Sequence, residues 1–277
     1  MSEVVIRTLD LPEIETLVGW AKAEGWNPGL ADAAPFQAAD PEGFIGCFVD
    51  GVMAAGISAV RYGPAFGFIG LYIAHPDFRG RGYGRRVWDT GIAHLEGCTI
   101  GLDGVPEQQA NYRSMGFLSD YETFRWSGRL KGRPNPAISV FGKADLPALI
   151  EFDSRYFAEK RKEFLRNWLA LPRQTRVFIR NGSIAGYAVS RQCHDGYKIG
   201  ALFAPDAGAA KTLLDACAAD AQGETIYIDV PAGQMEFSGL LKQEGFERGF
   251  QTTRMYRGRP PCFDATGVFG ITTLELG

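Results

Sequence analysis

No charge of one sign dominates this chain. Its 29 lysines and arginines stand against 32 aspartates and glutamates, a net charge of −3. Without a basic excess, no global field draws the molecule to nucleic acid or anionic lipid. Cysteine is scarce too: Cys47, Cys98, Cys193, Cys217 and Cys262 are scattered, with no CxxC spacing. That argues for reduced thiols and against a disulfide scaffold or a zinc site. No apolar run approaches the roughly 18 residues of a membrane span. The opening MSEVVIRTLDLPEIE carries acids where a secretory signal needs bases, and it has no apolar core. A soluble cytoplasmic protein is expected, with no metal, no membrane partner and no nucleic-acid partner.

What is present suits a chain with real cores. The 277 residues are 45% hydrophobic and 22% charged, long for one ordinary domain and comfortable for two. Self-comparison supports two. Phe48 stands against Phe178, Ala55-Gly56 against Ala185-Gly186 and Arg61 against Arg191, each 130 residues on. Pro76-Asp77 against Pro205-Asp206, Gly116-Phe117 against Gly245-Phe246 and Arg125 against Arg254 all lie 129 on. A near-constant offset across separated blocks implies two copies of one domain-sized unit. The expected boundaries are 1–130 for the first domain, 131–137 for a linker (KGRPNP and the next residue) and 138–277 for the second. The apolar run VFGITTLEL near the end reads as a final strand added to a sheet.

Within the first copy the order is β-α-β-β-β-α-β-α-β. EVVIRTL is a strand. LPEIETLVGWAKAEG is a helix with Leu11, Ile14, Leu17, Val18 and Ala21 on one face. Asp50-Gly51 turns a hairpin, and AFGFIGLYIA is apolar on both faces, hence central. CTIGLDGV and TFRWSG are the last strands. The fold class is α/β in α+β layers, a mixed, mostly antiparallel sheet flanked by helices in each copy.

HPDFRGRGYGRRVW follows the central strand and opens the next helix. Glycines 80, 82 and 84 let the backbone turn and leave successive N–H groups uncovered, which at a helix N-terminus makes an anion cradle. Arg79 and Arg81 add charge suited to phosphate. The Walker A lysine is absent, and the third glycine comes too early for the dinucleotide fingerprint. On its own the loop could also be a flexible basic segment or an RNA-binding arginine–glycine stretch.

Arg79-x-x-Gly82-x-Gly84 resembles the R/Q-x-x-G-x-G/A signature of the GCN5-related N-acetyltransferases, and Tyr112-x-x-x-Gly116-Phe117 is similar to that family's late helix. The resemblance covers residues 4–126. EGWNPG, GVPEQQANYRSMGF and the terminal ITTLELG further resemble a tandem YitH-type branch whose second half is degenerate. It implies an acyl-CoA-dependent N-acyltransferase using acetyl-CoA, with a small-molecule amine or a protein or peptide amine as acceptor. Non-catalytic acyl-CoA sensing is the alternative. Backbone groups of Leu71, Tyr72 and Ile73 would hold the pantetheine arm, and Gly80, Arg81, Gly82, Tyr83 and Gly84 the pyrophosphate. Asn111 is a further candidate contact with the coenzyme. Tyr112 would be the general acid, and Glu24, Asp32 and Asp103 are candidate bases. Trp26, Asn27 and Glu24 would line the acceptor pocket. His75 reads as structural, and a homodimer is left open.

The second copy lacks this equipment. PDFRGRGYGRRVW becomes PDAGAAKTLL, and the position of Tyr112 falls on Leu241. Fold without reaction is expected there, with the second copy closing or shaping the first copy's acceptor pocket. Arg161, Lys162, Arg166 and Arg173 read as a solvated helix face.

Overall fold

The structure, a computed structural model, describes residues 2–277. Each half of the chain runs through the same elements. In the first, β1 (Val4–Thr8) leads to α1 (Leu11–Ala23) and α2 (Ala33–Ala39), then β2 (Phe44–Val49), β3 (Val52–Arg61) and β4 (Phe66–Ala74). There follow α3 (Tyr83–His94), β5 (Thr99–Gly104), α4 (Gln109–Ser114) and β6 (Leu118–Gly128). The second half repeats the order with β7 (Ile138–Val140), α5 (Leu146–Asp153), α6 (Lys162–Trp168), β8 (Gln174–Arg180), β9 (Ser183–Gln192) and β10 (Tyr197–Phe203). It continues with α7 (Ala207–Asp220), β11 (Ile226–Pro231), α8 (Met235–Gln243) and β12 (Glu247–Arg257), and a short β13 (Val268–Gly270) ends the series. No helix or strand lies between Gly128 and Ile138.

Local chemistry accounts for the elements. Asp10 accepts from the Glu13 N–H, and Glu13 accepts in return from the Asp10 N–H, both at 3.0 Å. This reciprocal cap starts α1, which buries Ile14, Leu17, Val18 and Ala21 as the spacing predicts. Asp50 and Gly51 both adopt positive φ, as the tight turn between β2 and β3 needs.

All thirteen strands join one sheet in the order β1-β2-β3-β4-β5-β12-β6-β11-β10-β9-β8-β7, with β13 beside β10. Among the described residues only β4–β5 and β10–β11 pair in parallel; the other pairs are antiparallel. The last strands of the two halves are exchanged. β12, from the second half, lies against β5 of the first, and β6 crosses to lie against β11 of the second. One apolar core draws on both halves, with Leu17 and Phe36 of the first beside Phe164 and Trp168 of the second. Two further cores sit under α3 and α7, each completed by the exchanged strand, with Met255 in the first and Trp126 in the second.

Two arginines of the expected solvated face are buried. Arg161 is paired through Nε and Nη2 with Asp153 at 2.9 and 2.8 Å, and Arg173 reaches Asp32 at 3.2 Å. Buried carboxylates hold them, Asp153 eight residues before Arg161 and Asp32 far off in the first half, which helix periodicity alone cannot reveal. Arg166 remains exposed beside Glu163.

Candidate active site

The parallel pairing of β4 with β5 runs only from Phe66 opposite Thr99 to Ile69 opposite Leu102. The β3–β4 register then shifts beside Gly70, and Leu71 takes a φ of 45°. A branched side chain in that region is strained by about 1–3 kcal/mol, a cost that clusters at functional backbone. Past the bulge, Leu71, Tyr72 and Ile73 have no β5 partner and line a cavity of about 600 Å³, within the usual range for small-molecule sites. Leu102, Asp103 and Tyr112 form the opposite side, and Phe250 and Thr252 of β12 join them with Leu274 and Glu275 of the terminal segment.

The glycine-rich loop lies at the end of β4. Gly80 and Gly82 have φ of 75° and 82°, conformations that L side chains disfavour. Gly82 caps α3 without a side chain, and the first bond there runs from the Arg86 N–H to the Gly82 carbonyl at 3.3 Å. The N–H groups ahead of Arg86 therefore precede the helical ladder and are open to an anion. A Cβ at Gly84 would come within 3.2 Å of the Tyr72 hydroxyl. The chain thus has an N–H cradle leading into an unpaired strand edge, which fits a diphosphate followed by an extended arm. Arg81 lies 5.7 Å over the Phe78 ring. Arg79 turns the other way: its Nε donates to the Ala74 carbonyl at 3.0 Å, and it pairs with Glu24.

Tyr112 stacks on Trp88 at 5.7 Å and packs edge-on against Phe117 at 6.2 Å. Burial, with Tyr72 nearby, pushes its phenol up to about 12, so it stays protonated at neutral pH. Glu24 and Trp26 line the cavity. Asn27 is outside that lining and bonds both ways with the Asp195 backbone at 2.8 and 3.0 Å. Asn111 is exposed, also outside it. The His75 ring packs on Trp20 at 5.3 Å and accepts from the Asp77 N–H.

The candidate bases are differently placed. Asp32 lies in a buried cluster away from the cavity lining. Burial pushes its carboxyl up, but Arg191 and Arg173 outweigh burial and hold it below its ordinary value. Asp103 lines the cavity with its side chain fully buried, and both oxygens accept from Arg254 at 2.9 Å. Burial raises the Asp103 carboxyl against the pull of Arg254, with Asp229 and Glu275 adding to the rise. The pair has a twin. Arg125 grips Asp229 at 2.8 and 3.0 Å, directly across the β6–β11 pairing, as Arg254 grips Asp103 across β12–β5. The repeated arginines thus clasp the exchanged strands.

The second half closes the corresponding places. Asp206 caps α7 by accepting from the Ala209 N–H at 2.7 Å, setting a carboxylate where the first half has open N–H groups. β10 and β11 part beyond Ile199 and Ile228. β13 fills the gap, pairing Gly270 with Leu202 and Val268 with Phe203, and the Ile271 N–H donates to the Asp229 carbonyl at 3.0 Å. Leu241 is wholly buried.

Residues 11–118 match the Acetyltransferase (GNAT) family and residues 149–270 the Acetyltransferase (GNAT) domain. The chain is 32% identical over 272 residues, 96% of its length and 92% of the relative's, to the holothin acyltransferase of Pseudoalteromonas sp. (strain SANK 73390). The chain belongs to the GCN5-related N-acetyltransferase family. It is also 25% identical to the uncharacterized N-acetyltransferase YitH of Bacillus subtilis (strain 168), over 76% of each chain. A Pyrococcus horikoshii protein provisionally assigned as an acetyltransferase shares the fold with TM-score 0.81 at 18% identity, covering 99% of this chain and 96% of that one. A tandem GNAT protein from the clavulanic acid biosynthesis pathway does so with TM-score 0.62 at 14% identity, over 93% of this chain and all of that one. The protein is therefore a tandem GNAT and an acyl-CoA-dependent N-acyltransferase. Among the described residues no helix is long and apolar enough to cross a membrane.

Nothing local in the sequence marks Glu275, Leu274, Phe250 and Thr252. ITTLELG carries a family resemblance, but no local signal says that it returns to β4, some two hundred residues earlier.

Proposed function

We propose that the first half transfers an acetyl group from acetyl-CoA to a primary amine by direct attack within a ternary complex, and that the second half serves as its wall. The observation that carries this is the continuity of one path. Gly84 of the N–H cradle lies against Tyr72, and Leu71, Tyr72 and Ile73 line the same cavity as Tyr112. Along it, backbone N–H groups hold the pyrophosphate, and one N–H near Leu71 polarises the thioester carbonyl. Tyr112 keeps its proton until sulfur departs and then gives it up. Trp26, Phe250 and Glu24 line the same cavity, and the acceptor is assigned to them. The name of the Pseudoalteromonas relative, holothin acyltransferase, favours a small-molecule acceptor over a protein lysine here.

The test is release of CoA thiol from acetyl-CoA across a panel of primary amines, beside calorimetry with acetyl-CoA and CoA. Tyr112→Phe is expected to lower kcat by about 10²–10⁴-fold with acetyl-CoA affinity retained, the range for one general acid. Absence of acetyl-CoA binding by the wild-type protein would overturn the proposal.

A further inference from the structure

We infer that Glu275, on the terminal segment of the second half, is the general base of the first half's reaction and the anchor for the acceptor's ammonium group. This rests on the acyltransferase reading above. Glu275 lines the cavity that Leu71 and Tyr112 also line. The residue is 4% exposed, and its Oε2 is buried with no hydrogen-bond partner. An ionised carboxylate in such a place is costly unless something pairs with it.

The neighbouring charges do not supply that partner. Arg125 from β6, Arg191 from β9 and Lys198 from β10 lie close enough for the Glu275 charge to act on them, as do Asp103 of β5 and Cys193 after β9. None of the charged ones forms an ion pair with Glu275, and their bonds go elsewhere. Arg125 grips Asp229, Arg191 bonds Asp32 and the Thr272 carbonyl, Lys198 donates to the Trp26 carbonyl at 2.9 Å, and Asp103 accepts from Arg254. The remaining carboxylates on the cavity wall are Glu24, which is tied to Arg79, and Glu107. Tyr112 is the acid across the same space. Glu275 is the buried carboxylate left for an incoming cation.

Its backbone is held in place for the task. Thr273 Oγ1 accepts from the N–H groups of Glu275 and Leu276 at 3.0 and 3.1 Å, a tight local turn. The Ser58 hydroxyl donates to the Glu275 carbonyl at 3.3 Å, and a Cβ at Gly70 would overlap that carbonyl oxygen. Residue 275 therefore rests directly on the β4 bulge, beside the strand that would present the thioester.

The Glu275 carboxylate takes one proton from the acceptor's ammonium and later passes it to solvent. The neutral amine nitrogen bonds to the acyl carbon. As the tetrahedral adduct collapses, the carbon–sulfur bond breaks, the sulfur takes the Tyr112 phenolic proton, and the phenolate recovers a proton from the new amide nitrogen. Acyl thioester and ammonium give amide, thiol and one released proton.

The experiment compares wild type with Glu275→Gln and Glu275→Asp, using acetyl-CoA and 2-phenylethylamine, an alkylamine chosen for the aromatic walls at Trp26 and Phe250. Between pH 6 and 9, wild-type kcat/KM is expected to climb far less than tenfold per pH unit, because the enzyme binds the ammonium form and removes its proton on the protein. That of E275Q is expected to be at least 100-fold lower at pH 7 and to climb tenfold per pH unit, because it can use only amine already neutral in solution. E275D is expected to keep the shallow wild-type slope at reduced rate. Calorimetry is expected to show unchanged acetyl-CoA affinity in both variants, and E275Q is expected to melt at or above the wild-type temperature.

An E275Q profile parallel to wild type, or a rate within threefold of it, would refute the assignment while leaving the acyltransferase reading intact. So would an E275Q melting temperature several degrees lower, since it would make Glu275 a structural counter-ion of Arg125, Arg191 and Lys198. The melting result decides even with an amine that is not turned over. Wild-type protein that binds no acetyl-CoA would bring down both readings.

Discussion

Arg254→Met tests whether the exchanged strands are clasped as the structure implies. Arg254 is buried, and its guanidinium holds both oxygens of an Asp103 side chain that has no exposure at all. Removing the cation leaves a carboxylate in the sheet with neither water nor partner. Breaking one side of such a pair costs about 3–5 kcal/mol. A chain of this length loses roughly 2 °C or more in Tm per kcal/mol, so a drop of roughly 6–10 °C is expected, read by calorimetry or by circular dichroism melts. Adding Asp103→Leu removes the stranded charge, and the double variant should return to within about 1 kcal/mol of wild type or exceed it. The reasoning fails if R254M melts within 2 °C of wild type, or if the double variant is less stable than R254M.

Gly82→Val places a β-branched residue at a φ of 82°. The strain, about 1–2 kcal/mol, falls on the loop, so a tenfold or greater loss of acetyl-CoA affinity by calorimetry is expected with only a small fall in Tm. Lys198 is a pH probe. Burial, with Arg125 nearby, brings its ammonium down to about 8, below its ordinary value near 10.4 in the unfolded chain. Between those values the unfolded state holds the extra proton, so this group makes stability rise with pH from about 8 to 10. Lys198→Met should remove that rise in denaturant titrations taken at each pH; an unchanged slope would contradict the assigned burial.

Much of the first half is legible because its signals are local. The Asp10–Glu13 cap, the 3.6-residue stripe of α1, the Asp50-Gly51 turn and the glycine spacing before α3 all act within a few residues. α2 was not legible: AAPFQAA is short, and Pro35 looks like a break, although the first turn of a helix tolerates it. The exchange of β6 and β12 is invisible for a different reason. The two strands carry the same pattern, including the matched Arg125 and Arg254, so either one satisfies the local requirements of either partner. Which carboxylate each arginine reaches is decided by sheet order alone. Asp103 illustrates the difficulty: a carboxylate at the end of a strand looks free for chemistry until the strand laid beside it is known. Glu275 is the converse case, unremarkable in ITTLELG and conspicuous only once the segment lies on Gly70.

Reciprocal strand lending also bears on why a half with a plugged groove should persist. Were the lender to unravel, its neighbour would be left with β5 as a raw sheet margin and β6 with nothing on either flank, an invitation to aggregation. Each half is thus hostage to the other's integrity, whatever becomes of its own chemistry. A mutation that ruins the plugged half should therefore appear as loss of soluble protein before it appears as slower turnover.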